Sequence, residues 1–137
     1  MIFFYRFLTI LFYPFFILLI YLRSLLNKED KKRYKEKIFS SYFYPEKDNK
    51  KKLIWFHAAS IGEVQSIFPL IQKLNDDRKD IEFLITNTTL SAGNIVEKKL
   101  SNYENIKHRY FPLDISFLIK IFLNKWRPNL IIFVDSE

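Results

Sequence analysis

Leu53-Ile-Trp-Phe-His-Ala-Ala-Ser-Ile-Gly-Glu63 decides the fold. An apolar run rich in β-formers stops at small residues, and a Gly, a Glu and a helical pattern follow. An α/β sheet delivers a carboxylate in this way to the carboxyl end of a strand, where open parallel sheets bind ligands. Three further apolar runs follow at regular spacing, at 81–86, 108–111 and 130–134. The stretches between them have helical character. Residues 64–74 set Ile67, Leu70, Ile71 and Leu74 three and four positions apart, with Pro69 as a flaw. Residues 92–100 are shorter and more polar, and 115–124 carry Leu118, Ile119, Phe122 and Leu123. Trp126-Arg-Pro-Asn129 is a helix stop leading into the fourth strand. The alternation predicts an α/β fold, a Rossmann-like parallel sheet with flanking helices. A doubly wound sheet usually adds elements on its other edge. The pattern over 53–137 therefore predicts a truncated domain.

An uncharged stretch, 7–22, precedes all this and extends to 1–22 if Arg6 snorkels toward a headgroup. About 20 apolar residues make a membrane span. Pro14 would kink such a helix, which membranes tolerate. The segment predicts an apolar N-terminal helix acting as a membrane anchor, either a single span or an interfacial helix. A cleaved signal peptide fits poorly, because no small-x-small site follows Leu22 and the positive charge lies after the apolar region. A buried core helix would show one apolar stripe, whereas apolar residues here cover every side.

The net charge of +7 has a location. Residues 1–52 carry 12 Lys/Arg against 5 Asp/Glu, and residues 53–137 carry 10 of each. A nucleic-acid-binding domain would hold the excess on its folded part. Here the excess follows the apolar segment, in Arg23, Lys28, Lys31, Lys32, Arg33, Lys35 and Lys37, which suits an anionic membrane surface and not a nucleic acid. Positive residues after the anchor place the domain on the cytoplasmic side. Residues 23–52 are expected to form a basic collar and an exposed linker. There is no Cys, so disulfides and thiolate chemistry are excluded, and two His (His57, His108) without Cys argue against a zinc site.

The candidate site residues lie at strand-to-helix junctions. Ser60-Ile-Gly-Glu63 has too few glycines for a phosphate loop. Gly62 permits a tight turn or close ligand approach. Glu63 at a helix start is favoured as a carboxylate by the dipole, which also makes it a weaker base unless burial offsets this. Capping alone would equally explain it. Thr86-Asn-Thr-Thr-Leu-Ser-Ala-Gly93 can hold an anion or sugar hydroxyls, or simply cap a helix. His57 at a strand end is more often structural than catalytic. Asp135-Ser136-Glu137 ends the fourth strand on the same side.

These motifs, in this order, resemble the N-terminal half of the 3-deoxy-D-manno-octulosonic acid (Kdo) transferase family of lipopolysaccharide synthesis. The family has an apolar anchor, a basic stretch and a strand ending in His-x-x-Ser-x-Gly-Glu, matched by His57, Ser60, Gly62 and Glu63. A Thr-rich turn ending in Gly is matched by Thr88 to Gly93. A Tyr/Phe-x-Pro-x-Asp segment is matched by Tyr110, Pro112 and Asp114. A Pro-x-Leu strand with an acidic end is matched by Pro128, Leu130, Ser136 and Glu137. Two departures stand out: Asp135-Ser136-Glu137 replaces the usual Glu-Thr-Glu, and the following Trp-Pro-Asn segment and second Rossmann-like domain are absent.

The resemblance implies the N-terminal domain of a GT-B type glycosyltransferase. It implies an inverting transfer of Kdo from CMP-Kdo to a lipid A precursor, with CMP-Kdo held mainly by the second domain. Glu63 would be the general base and Glu137 a supporting acidic group. Ser60, Gly62, Thr88, Thr89, Ser91 and Gly93 would line the acceptor side. The implied site needs no metal or cofactor, since CMP-Kdo is a substrate, and the implied location is the cytoplasmic face of the inner membrane. Two other readings remain: a membrane-anchored binding module without chemistry, and another membrane-associated GT-B sugar transferase.

Overall fold

The computed structural model describes residues 2–45 and 47–135. The chain forms two compact units, one of Pro45–Phe111 and Trp126–Glu137, the other of Met1–Tyr44 and Pro112–Lys125.

The first unit holds a four-stranded parallel sheet. Its strands are β1 (Lys52–Ala58), β2 (Ile81–Asn87), β3 (Ile106–Tyr110) and β4 (Leu130–Val134), in the order β3-β2-β1-β4. The chain steps outward from β1 to β3 and then returns to the far side of β1. The order therefore reverses between β1 and β4. Register is set by Phe56↔Ile85, Phe83↔Ile106 and Phe56↔Ile132 pairs. Asn129 fixes where β4 begins: its side chain accepts from Leu53 N–H at 2.8 Å, and its own N–H donates to the Leu53 carbonyl at 2.8 Å.

Strand alternation sorts side chains onto two faces. Phe56 and Ala58, Phe83 and Ile85, and Ile106 form one face. Helices α3 (Ile61–Asp77) and α4 (Leu90–Leu100) cover it with Val64, Ile67, Phe68, Ile71, Ala92 and Val96. Burying each such side chain stabilises by roughly 1.5–3 kcal/mol. Pro69 lies inside α3 on its exposed side, as does Gln65, whose carbonyl loses its N–H partner there. The other face carries Leu53, Trp55 and His57 with Leu84 and Thr86. Trp55 stacks on Phe111 at 5.9 Å, and Arg109 lies 5.8 Å over the buried Trp126 ring. Arg127 follows Trp126 with φ 45°, a left-handed residue that stops the helix before Pro128, as the sequence predicts.

The second unit is helical. It comprises α1 (Ile2–Leu11), α2 (Tyr13–Leu25), two 3₁₀ turns at Tyr34–Lys37 and Ser40–Tyr42, and α5 (Ser116–Trp126) up to Lys125. No single helix among the described residues is long and apolar enough to cross a membrane; α1 and α2 together reach that length but bend by 52°. The stretch after α2 departs from an exposed collar. Ile38 and Phe43 are fully buried, and Phe43 meets Phe122 edge-on at 5.4 Å. Glu29 is buried and binds both Lys37 and Arg23, the latter at 2.9 Å, while Arg33 pairs with Glu36 at 2.7 Å. Three of the seven collar cations are thus held by neighbouring carboxylates, and Lys28, Lys31 and Lys32 remain on the surface.

The two glycines have opposite surroundings. Neither has positive φ, so Gly62 serves no tight turn; it lies inside α3 with nothing within 4 Å of a built Cβ. At Gly93 a Cβ would run into the Tyr110 hydroxyl and fall 2.8 Å from its ring. Gly93→Ala is expected to cost about 1–3 kcal/mol through overpacking. Gly62→Ala should stay within about 0.5 kcal/mol or stabilise slightly. Urea unfolding of the two variants checks this; equal effects would contradict the packing described at Gly93.

Candidate active site

β1 ends at Ala58, and α3 begins at Ile61, with two residues between. Ser60 is its cap, with extended backbone (φ −108°, ψ 166°), and its hydroxyl accepts from Glu63 N–H at 3.3 Å. The Glu63 side chain turns back on the same junction. Its Oε2 accepts from Ala59 N–H at 2.7 Å and, at 3.4 Å, from Ser60 N–H; its Oε1 accepts from the Ser60 hydroxyl at 2.7 Å. This is a reciprocal capping box. Glu63 is only 8% exposed, yet its carboxylate is solvated by protein donors and by the helix end. It stands where β1 neighbours β4, the point of strand-order reversal at which open α/β sheets bind ligands.

The Thr-rich turn adjoins this junction. Thr88 and Thr89 hydroxyls approach the Ala59 carbonyl at 3.4 and 3.5 Å. Thr89 caps α4, accepting from Ala92 N–H at 3.3 Å, and the Ser91 hydroxyl lies 3.5 Å from that of Thr89. Ser60, Glu63, Thr88 and Thr89 therefore converge around Ala59, and Gly62 leaves open space on α3. Gly93 is buried, with its Cα facing Tyr110, so packing alone accounts for its lack of a side chain. Asp135 follows β4 and is exposed beside the end of β1. Ser136 and Glu137 lie outside the described residues. Among the described residues no three His, Asp or Glu side chains converge on a metal-sized point. A cavity of about 460 Å³ lined by Lys51, Glu82, Asn105 and Lys107 is at the opposite, amino end of the strands.

Two residues at the start of the Thr-rich motif, Thr86 and Asn87, have surroundings that the sequence does not show. The buried Thr86 hydroxyl accepts from Trp55 Nε1–H at 2.8 Å and lies 2.9 Å from His57 Nδ1, so Thr86 fixes the imidazole. Asn87, fully buried at the end of β2, has neither amide atom hydrogen-bonded among the described residues. Buried amides without partners are uncommon. The sequence signal for it is an amide immediately after the apolar run 81–86.

His57 is half-buried, with its ring 4.4 Å from Phe111 and 5.6 Å from Phe133. Burial lowers its pKa below the ordinary 6.5, against smaller opposing effects of the Glu63 charge and a hydrogen bond to the Thr86 backbone. A lowered folded pKa means that the unfolded chain takes up the proton first. The stability His57 supports is then complete above the unfolded pKa and is lost as pH falls from there toward the lower folded value. The midpoint of thermal unfolding should drop between about pH 7.5 and about pH 5.5, and His57→Gln should reduce that drop. Identical pH slopes for the two proteins would show that His57 does not contribute.

Comparison with known proteins bears on this geometry. Residues 32–137 match the family model described as 3-deoxy-D-manno-octulosonic-acid transferase (kdotransferase). A 3-deoxy-D-manno-octulosonic acid transferase of Rickettsia bellii is 35% identical over 133 residues, covering 97% of this chain and 31% of the relative. A probable mitochondrial 3-deoxy-D-manno-octulosonic acid transferase of Arabidopsis thaliana is 39% identical over 85 residues, 62% of this chain and 19% of the relative. One from Chlamydia trachomatis is 34% identical over 87 residues, 62% of this chain and 20% of the relative. No solved structure matches. The chain thus spans less than a third of the length of these relatives. A parallel sheet that places Ser60, Gly62 and Glu63 at its switch point, matched by the family model over 32–137, makes this chain a member of the Kdo transferase family.

Proposed function

We propose that this chain supplies the acceptor side of an inverting Kdo transfer from CMP-Kdo to a lipid A precursor, with Glu63 as the general base. The observation that carries the proposal is the position of Glu63: a buried, protein-solvated carboxylate at the end of β1, beside the reversal of strand order. The acceptor hydroxyl gives its proton to Glu63 as its oxygen bonds to the anomeric carbon. The bond from that carbon to the CMP phosphate oxygen breaks, and CMP leaves with the electron pair. A positioned base contributes about 10²- to 10⁴-fold. Two backbone N–H groups and the Ser60 hydroxyl hold the carboxylate in place before the proton arrives.

Thr88, Thr89 and Ser91 offer hydroxyls to the acceptor sugar, and the open space at Gly62 admits it close to the α3 backbone. Glu137 is assigned a supporting role on the β4 side. The donor is assigned to the part of the family's length that this chain does not cover. The proposed location is the cytoplasmic face of the inner membrane. It is supported by the exposed apolar residues of α1 and α2 and by the exposed Lys28, Lys31 and Lys32. The capping contacts favour a second reading, in which Glu63 only caps α3 and the chain is a membrane-anchored binding module.

Glu63→Gln separates the two readings, because Gln can also close a capping box but cannot take the proton. In a chimera with residues 1–137 in place of the matching segment of the Rickettsia bellii relative, turnover should fall by about 10²-fold or more. Acceptor binding and thermal stability should change little. Near-normal turnover would reject Glu63 as the base. The 137-residue chain by itself should not transfer Kdo, since positioning donor against acceptor is worth roughly 7–11 kcal/mol of the barrier in favourable cases. Transfer of labelled Kdo by that chain, above its Glu63→Gln control, would show it to be a whole catalyst.

A further inference from the structure

The apolar segment has two sides. Thr9, Tyr13, Phe16, Ile20 and Ser24 turn inward, and Ile20 and Ser24 are buried. Phe3, Phe7, Leu11, Phe15, Leu18, Leu22 and Leu25 turn outward, each about half exposed or more. Both sets run at three- and four-residue spacing, so the sidedness follows the helices.

Other elements of the same unit bind the segment near its start, at its middle and toward its end. Near the start, the Tyr5 hydroxyl donates to the Asp114 carbonyl at 3.3 Å. At the middle, the Tyr13 hydroxyl donates to the Ile38 carbonyl, and its ring meets Phe117 of α5 edge-on at 5.3 Å. Toward the end, Tyr21 lies 6.3 Å from the Tyr34 ring, and Arg23 binds Glu29 at 2.9 Å. Tyr13 stands midway between Ile2 and Leu25. If this segment spanned a bilayer, its midpoint would carry Ile38 to the centre of the hydrocarbon. The Lys37–Glu29 ion pair and the exposed Lys120 of α5 would follow. Charged groups at that depth are strongly disfavoured, and the 52° bend at Phe12 already breaks a straight span.

Lying flat removes the conflict. The outward side enters the boundary between headgroups and acyl chains, as amphipathic interfacial helices do. Lys28, Lys31 and Lys32, exposed just past α2, meet anionic headgroups. We infer that α1 and α2 lie in the plane of an anionic bilayer, inserting only their outward side, so that both ends of the segment stay on one side of the membrane. This rests on the membrane attachment proposed above.

The absence of Cys allows single-site labelling. The full chain, as Arg6→Cys or Lys28→Cys carrying a nitrobenzoxadiazole dye, is added to preformed vesicles of phosphatidylcholine and phosphatidylglycerol. After flotation, dithionite, which does not cross the bilayer, is applied outside. Complete bleaching at both positions is expected. Protection at position 6 with bleaching at 28 would overturn the in-plane arrangement while leaving attachment intact. Failure to float with the vesicles would overturn attachment itself, and the in-plane arrangement with it. A triple variant, Leu11→Ser, Phe15→Ser and Leu22→Ser, should weaken vesicle partition by about 100-fold or more with the unfolding midpoint unchanged. Unchanged partition, even with a change in self-association, would assign that side to another copy of the chain and overturn the proposal.

Discussion

The bond from Ala59 N–H to the Glu63 carboxylate, with the Ser60 hydroxyl on the other oxygen, is the contact on which the site depends. A strand that ends and a helix that begins within two residues leave backbone N–H groups without partners. Glu63 satisfies two of them, and the Ser60 hydroxyl satisfies the N–H of Glu63 itself. The same contacts fix the carboxylate at the carboxyl edge of the sheet. Capping does not preclude the proposed chemistry: the same contacts that cap α3 would hold the carboxylate in register with β1 for proton removal.

β1 can carry this load because it is paired on both edges, with β2 and with β4. Its side chains alternate between a face packed under α3 and α4 and a face closed by aromatic rings. The last two positions of the strand divide accordingly. Ala58 enters the helical core, and His57 joins Thr86, Phe111 and Phe133. A shift of one residue in register would exchange these environments. The two-way clip between Leu53 and Asn129 opposes such a shift on the β4 side.

Much of the sheet was legible in sequence because its strands bury apolar runs. β4 begins and ends where its run does, and β2 gains only Asn87. β3 begins two residues before the apolar run 108–111 and ends one residue before its close. Lys107 and Arg109 interrupt its apolar run, and only alternate residues are buried. α3 starts at Ile61, ahead of the apolar periodicity, because a capping box initiates a helix without apolar side chains. Gly62 looked like a turn residue and is helical. The Ser60–Glu63 motif and the Thr-rich turn are each legible as strand-to-helix junctions, but their meeting is not: Thr88 and Thr89 reach the β1 end through parallel pairing of β1 with β2, which no local pattern encodes. The helical unit was least legible. The segment 1–22 is apolar on all sides, so periodicity could not separate the side that packs on Ile38 and Phe117 from the exposed one. Nor does a basic stretch announce that Glu29 holds two of its cations in buried contacts.

Restoring a lost carboxylate from solution tests most directly whether Glu63 acts as a base and not only as a cap. In the chimeric enzyme, Glu63→Ala removes the carboxylate and leaves a space in which a small carboxylate can sit. Formate, added at constant ionic strength, is expected to restore Kdo transfer partly and saturably, with chloride giving none. A folded Glu63→Ala enzyme that formate does not rescue, or that turns over near the parent rate without it, would contradict the assignment of proton removal to this carboxylate.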